Sequence, residues 1–278
     1  MNKVVYHPIK YFGLTFLITW VTWIIAAVLS QGSSASAMDE NVMSLMAIGL
    51  FGPLFAAIIL MIGKNKRELR RDIISKFTKV SRIRVRYLPI VILLMPVTIV
   101  IAIFCSLPLG QSIDQLALSP EFSIVEGSVV SSWIIAFLAP ALEELGWSGY
   151  GIDSLRGNGK LLKSVLAFGV LWAIWHLPLF FIKGYYHASL LADSPVYAVN
   201  FFISVVSLTV ITNWLYYRNN RSIVMAIVFH AIVNVCSEAF CVTNFTKCVV
   251  TVVITIFAVL IICLDKKFFF GKPDAEAA

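Results

Sequence analysis

The sequence predicts an all-α integral membrane protein, a bundle of about eight transmembrane helices around a polar cavity. Three observations predict it. The 278 residues are 59% hydrophobic and only 13% charged, whereas soluble domains carry about 25% charged residues. The apolar residues gather in runs of about 20, the length a spanning helix needs. Inside those runs stand Glu143, Glu144, His176, His230 and Asn234, although an ionisable group at membrane depth costs about 2.5–3.5 kcal/mol. A β-barrel is disfavoured, because its strands alternate over about ten residues and these runs do not.

The first run, Tyr11 to Ser30, follows Lys3 and Lys10 and precedes Ala35-Ser36-Ala37, as a signal peptide would. At ~20 residues it exceeds a signal h-region of about 7–15, so it reads as a retained first span. The second span is Val42 to Ile62. The segment from Lys64 to Arg86 carries ten Lys and Arg residues and is expected to lie on anionic headgroups. The third span runs from about Tyr87 to Leu107. A polar loop with Asp114, Glu121 and Glu126 leads to the fourth, Ser128 to Gly149 or beyond. Leu161 to Ile182, Val196 to Tyr217, Ser222 to Phe240 and Cys248 to Leu264 complete the set.

With both termini cytoplasmic, every Lys and Arg of the 22 except Lys183 and Lys247 falls on the inner face, as the positive-inside rule asks. The net charge of +7 therefore sets topology and does not indicate a nucleic-acid partner. No internal repeat or soluble domain is evident, so residues 1–278 form one transmembrane domain, with a motif-bearing core at about 128–240. Trp20, Trp214, Tyr216 and Tyr217 read as interfacial anchors. The five cysteines show no CxxC spacing. Cys241 and Cys248 flank a short loop, but buried free thiols are the expectation.

The chemistry centres on Pro140 to Tyr150. Adjacent helical positions point ~100° apart, so Glu143 and Glu144 face different ways. One addresses a substrate while the other braces it or a neighbouring helix. Gly146 and Gly149, one turn apart, suit close helix packing or leave room for a substrate chain. His176 has Trp172 one turn before it and Pro178 just after, which opens space near the ring. His230 and Asn234, at i and i+4, share one helix face and can donate to one oxygen, or can serve as interhelical hydrogen bonders. Together the set supplies a base for a water and donors for an oxyanion: the equipment of an active-site cavity that hydrolyses a peptide bond within the membrane. Glu143, His176 and His230 are also a possible set for a divalent metal such as zinc, although no local HExxH motif is present. His7 and His187 are expected to be solvated, Glu238 to lie at a span rim, and Asn200 and Asn213 to bond between helices.

Glu143-Glu144, His176 and His230-x-x-x-Asn234, with the surrounding Glu-Glu-Leu-Gly-Trp-x-Gly-Tyr and Leu-Trp-Ala-Ile-Trp-His-Leu-Pro, resemble the motifs of the CPBP intramembrane proteases. That family includes the type II CAAX prenyl endopeptidases and bacteriocin self-immunity proteins. The resemblance covers roughly Ser128 to Ser237. It implies that Glu143 and His176 activate a water, that Glu144 supports them, and that His230 and Asn234 form an oxyanion site. It implies a prenylated or membrane-associated peptide substrate, and is compatible with either a metal or a glutamate-held water alone. Two positions depart from the pattern. Ser148 stands where the first motif ends in Arg, and Trp172 where the family often has Phe. Ser148 keeps open a non-catalytic immunity or scaffold protein of the same fold; a proton-coupled transporter is a further alternative. If the Arg serves as Glu144's charge partner, Ser148→Arg preserves or raises activity.

Overall fold

The computed structural model describes residues 4–32, 39–122, 129–157 and 159–271. Lys3, Ala35 to Ala37, Glu126 and Lys272 lie outside the described residues. The chain is helical: α1 Pro8–Ser30, α2 Glu40–Leu50, α3 Gly52–Met61, α4 Arg67–Thr78, α5 Leu88–Ser106, α6 Val129–Gly146, α7 Ile152–Arg156, α8 Leu161–Trp175, α9 Tyr186–Asp193, α10 Pro195–Arg218, α11 Ile223–Ala239, α12 Asn244–Leu264 and α13 Lys266–Phe270. Among the described residues the one extended pairing is an isolated bridge, Leu118 to Phe240.

Each expected span falls on helix. Among the described residues, five helices are long and apolar enough to cross a membrane, and α2 with α3, bent by 44°, makes a sixth if counted as one span. α11, at 17 residues, is apolar but shorter. Ile24, Val28, Leu93, Ile134, Ile135 and Val252 are among the many exposed apolar side chains. In a bilayer such faces meet lipid, so they carry no cost there.

The helices pack as a ring in the order α1, α3, α6, α11, α5, α12, α10, α8, and α10 also reaches across to α11. Close approaches set the seam between α1, α3 and α6. A Cβ on Gly52 would lie 2.1 Å from Thr19 Oγ1, and one on Gly146 would lie 2.3 Å from the Pro53 backbone. Gly146 is therefore a packing glycine and leaves no room for a substrate chain. Pro53 lacks the N–H that would bond the Gly49 carbonyl. The Thr19 hydroxyl donates to that carbonyl instead, at 2.8 Å, so the bend at Phe51 leaves no buried acceptor empty.

The fourth span does not stop at Gly149. A single π turn, Trp147–Gly151, joins α6 to α7. The helix thus continues to Arg156 before the turn into α8. This continuation resolves a geometric tension, since helices ending at the loop boundaries would hold Glu143 and His176 at opposite faces.

One end of the bundle carries α4, the α7–α8 turn and the α10–α11 turn; we call it the basic end. The Lys64–Arg86 segment does not simply lie on headgroups. Lys76 is fully buried. Its Nζ donates to Asp153 Oδ2 at 2.6 Å, to the Gly149 carbonyl at 2.7 Å and to the Tyr6 hydroxyl at 3.0 Å. Arg221 Nη2 lies 2.6 Å from Asp153 Oδ2 and 2.7 Å from Asp72 Oδ2. Tyr216 and Tyr217 each donate to Asp153 at 2.9 Å. Asn220 and Arg221 have φ of 53° and 62°, a conformation unusual for a side chain larger than Asn. The turn is fastened from α4 and beyond: Asn220 Nδ2 donates to the Arg82 carbonyl at 3.0 Å, and the Arg84 N–H donates to Asn219 Oδ1 at 2.8 Å.

Several single-residue expectations are corrected. Tyr216 is fully buried and Trp214 is nearly so. Trp214 Nε1 donates to Asp265 Oδ2 at 2.8 Å, and Trp20 Nε1 to the Trp175 carbonyl at 3.2 Å. These aromatics hydrogen-bond within the protein. Of the five free cysteines only Cys236 is buried. Asn200 does bond between helices, to the Lys247 carbonyl at 3.4 Å, but Asn213 bonds the Thr209 carbonyl of its own helix at 2.9 Å. Glu238 is exposed near the end of α11.

Candidate active site

The last turns of α6 bring Glu143 and Glu144 into the ring, both buried. They face different neighbours, as their ~100° separation requires. Glu143 points at tryptophans. Trp172 Nε1 of α8 donates to its Oε2 at 3.1 Å, and Trp147 Nε1, one turn further along its own helix, donates to the same oxygen at 3.3 Å. Among the described residues no donor reaches Oε1. Glu144 points at α11. His230 Nδ1 lies 3.1 Å from its Oε1, and the Ser148 hydroxyl donates to its Oε2.

Proton positions follow from the partners. A carbonyl only accepts, so His176 Nδ1, 2.8 Å from the Trp172 carbonyl, carries a hydrogen. With the ring neutral, its Nε2 presents a lone pair. For His230, one proton lies between Nδ1 and Glu144 Oε1. If it resides on oxygen, or if the ring is an imidazolium facing a carboxylate, Nε2 carries an N–H; a neutral ring protonated at Nδ1 leaves Nε2 a lone pair.

Trp172 is the hub. Its ring lies 5.2 Å from that of His230 and 5.9 Å from that of His176, centroid to centroid, while its N–H holds Glu143. The expectation that Trp172 lies near His176 describes only part of what it touches. Glu143, His176 and His230 thus gather around one indole, and Glu144 joins them through His230. Asn234 stands one helical turn beyond His230, half-buried, with its amide bonded to no described residue.

Two residues escaped the sequence reading. Trp147 and Ser148 follow Glu143 and Glu144 at i+4, a spacing that places each on its carboxylate's face. The signal is in the sequence, where Ser148 stands out only as the position of the motif's Arg. His187 corrects an expectation in the other direction. It is buried, with both ring nitrogens unpartnered among the described residues. Its ring lies flat against Tyr185 at 5.3 Å and His176 at 5.9 Å. His7 is half-buried.

The site does not fit a metal cage. Among the described residues no three His, Cys, Asp or Glu side chains are grouped to hold an ion. Glu143 is turned to two indoles, and Glu144 to His230 and Ser148.

A family model described as type II CAAX prenyl endopeptidase, Rce1-like, matches residues 125–236. CAAX prenyl protease 2 of Methanococcus maripaludis is 36% identical over 267 residues, spanning 96% of this chain and 97% of that protein. The chain belongs to the type II CAAX prenyl endopeptidase family. As a member it is a multi-pass membrane peptidase, and the first spans, which the sequence motifs left uncovered, fall within the full-length match. The immunity and transporter alternatives lose their ground with that match.

Proposed function

We propose that this endopeptidase cleaves prenylated C-terminal peptides by attack of a water that Glu143 and His176 deprotonate. The carrying observation is the split of roles between the two carboxylates: Glu143 keeps one oxygen free, while Glu144 is fully engaged. In this reading the water's proton passes to Glu143 Oε1 as its oxygen bonds the scissile carbonyl carbon. His176 Nε2, a lone pair in the same neighbourhood, shares that base work. The carbonyl oxygen gains negative charge and is met by the His230 Nε2–H and the Asn234 amide, which bonds to no described residue. Collapse breaks the C–N bond, and the proton held by Glu143 passes to the leaving amine. Glu144 with Ser148 holds His230 in place, a job the motif's Arg would do with a full charge. The lipid anchor of the substrate supplies binding through buried CH₂ groups, about 0.8 kcal/mol each. With both termini cytoplasmic, the basic end faces the cytoplasm.

The test is cleavage of a farnesylated CAAX peptide by purified protein in detergent or nanodiscs. Wild type should cut and Glu143→Ala should not. Equal rates would remove the proposed base. The donor arrangement predicts unchanged activity after exhaustive chelation; loss restored by added zinc would overturn the metal-free reading.

A further inference from the structure

We propose that Trp172 and Trp147 are positioning residues that hold Glu143 by Oε2, so that only Oε1 serves as the base; this rests on the peptidase reading above. Both indole N–H groups converge on one oxygen, at 3.1 and 3.3 Å, from different helices. An indole N–H donates and cannot accept. It therefore pairs with a carboxylate and would be left unsatisfied by an apolar neighbour. Two such donors on one oxygen fix the rotation of the carboxylate and stand in for the water it has lost.

The surroundings make the donors rigid. Trp147 is fully buried and Trp172 nearly so. Trp147 packs edge-on against Trp175, Phe168 and Tyr11 and stacks on Phe12, with centroids 5.5 to 6.1 Å away. Trp172 is wedged between His176 and His230. The same indole thus sets the spacing of both histidines and the rotation of the glutamate. A phenyl ring at this position, the family's frequent choice, fills similar space but has no N–H. The Trp172 bond to Glu143 is thus a device of this chain, beyond what the shared motif supplies.

Two measurements test it. In the first, Trp172→Phe lowers kcat about tenfold with KM within about twofold, as loss of a hydrogen bond to a charged group predicts. Trp147→Phe has a smaller effect, in line with its longer contact. Unchanged kcat in Trp172→Phe, with wild type active, overturns the positioning role and leaves the peptidase reading standing. In the second, the protein is labelled with ¹⁵N-indole tryptophan, and signals are assigned by their loss in the two Phe variants. Glu143→Ala should move two of the seven indole N–H resonances, those of Trp172 and Trp147. A role confined to packing predicts no such selective movement, and its absence overturns the proposal. If wild type fails to cleave any prenylated peptide, the peptidase reading fails by itself. The proposal of a catalytic role then falls with it, while the resonances still decide whether the indoles hold the carboxylate.

Discussion

Two clusters of buried polar groups lie a short way apart on the same helix, and they are built oppositely. At the basic end, Lys76, Arg221, Asp72 and Asp153 sit within 3.3 Å of opposite charge, with Tyr6, Tyr216 and Tyr217 filling the remaining lone pairs. Around Trp172 the groups are neutralised less fully: Glu143 Oε1 and His176 Nε2 have no described partner, nor does the Asn234 amide one turn beyond His230. A buried ion cluster in which every member is matched is rigid and chemically idle. A cluster with unspent acceptors and donors is poised for a substrate. The two are linked by the π turn, whose Gly149 carbonyl accepts from Lys76 at 2.7 Å; single-turn π bulges recur at functional sites. The contrast separates what holds the helix from what works on it.

Substitutions can break each half alone. The largest expected effect is at Glu143: Glu143→Gln should lower kcat by about a thousandfold, within the range for a lost general base, while the melting temperature in detergent changes little. Next, Lys76→Met should destabilise by about 3–5 kcal/mol, because the buried Asp153 and the half-buried Asp72 lose a matched cation. It should appear as a lowered melting temperature, with residual cleavage in the folded fraction. Should Lys76→Met instead leave stability intact and abolish cleavage, the division of labour is wrong. Third, Ser148→Ala should reduce kcat/KM by about tenfold, the cost of removing one donor from a buried carboxylate, and Ser148→Arg should preserve or raise it.

The smallest effect is pH dependence at the basic end. Burial works against the charge of Asp72, but Lys76, Arg221 and the Tyr6 hydroxyl outweigh it and hold the carboxyl below the usual carboxylate range, despite Asp153 nearby. A carboxyl depressed on folding stabilises the protein fully above its unfolded pKa of about 4 and loses that contribution as pH falls through the lower folded value. Melting temperature should therefore decline as pH drops below about 4, and Asp72→Asn should blunt the decline.

How much of this was legible follows from what each signal depends on. Span positions rest on local hydropathy, so the described parts of the expected segments fall on helix, five or six of them long enough to span; Pro53 is a local mark of the bend in the second segment, whereas the π turn depends on neighbours. The five site residues were singled out because polar groups within apolar runs demand explanation. Their partners were only half readable. Trp147 and Ser148 lie at i+4 from the carboxylates, a spacing open to inspection, whereas Trp172 reaches Glu143 from another helix. Lys76 and Arg221 were hidden among many basic residues, since composition cannot distinguish a cation facing headgroups from one tied to Asp153. His187 was misjudged because a loop position suggests water, yet α9 folds it against the aromatic side chains of Phe180 and Phe201.

The Tyr6 hydroxyl donates to Asp72 at 2.6 Å and accepts from Lys76 at 3.0 Å, so the few residues ahead of the first span act as a peg driven into the molecule's underside. Affinity handles joined directly to that stretch would tug on the peg, and purification of a well-behaved enzyme calls for a spacer before it.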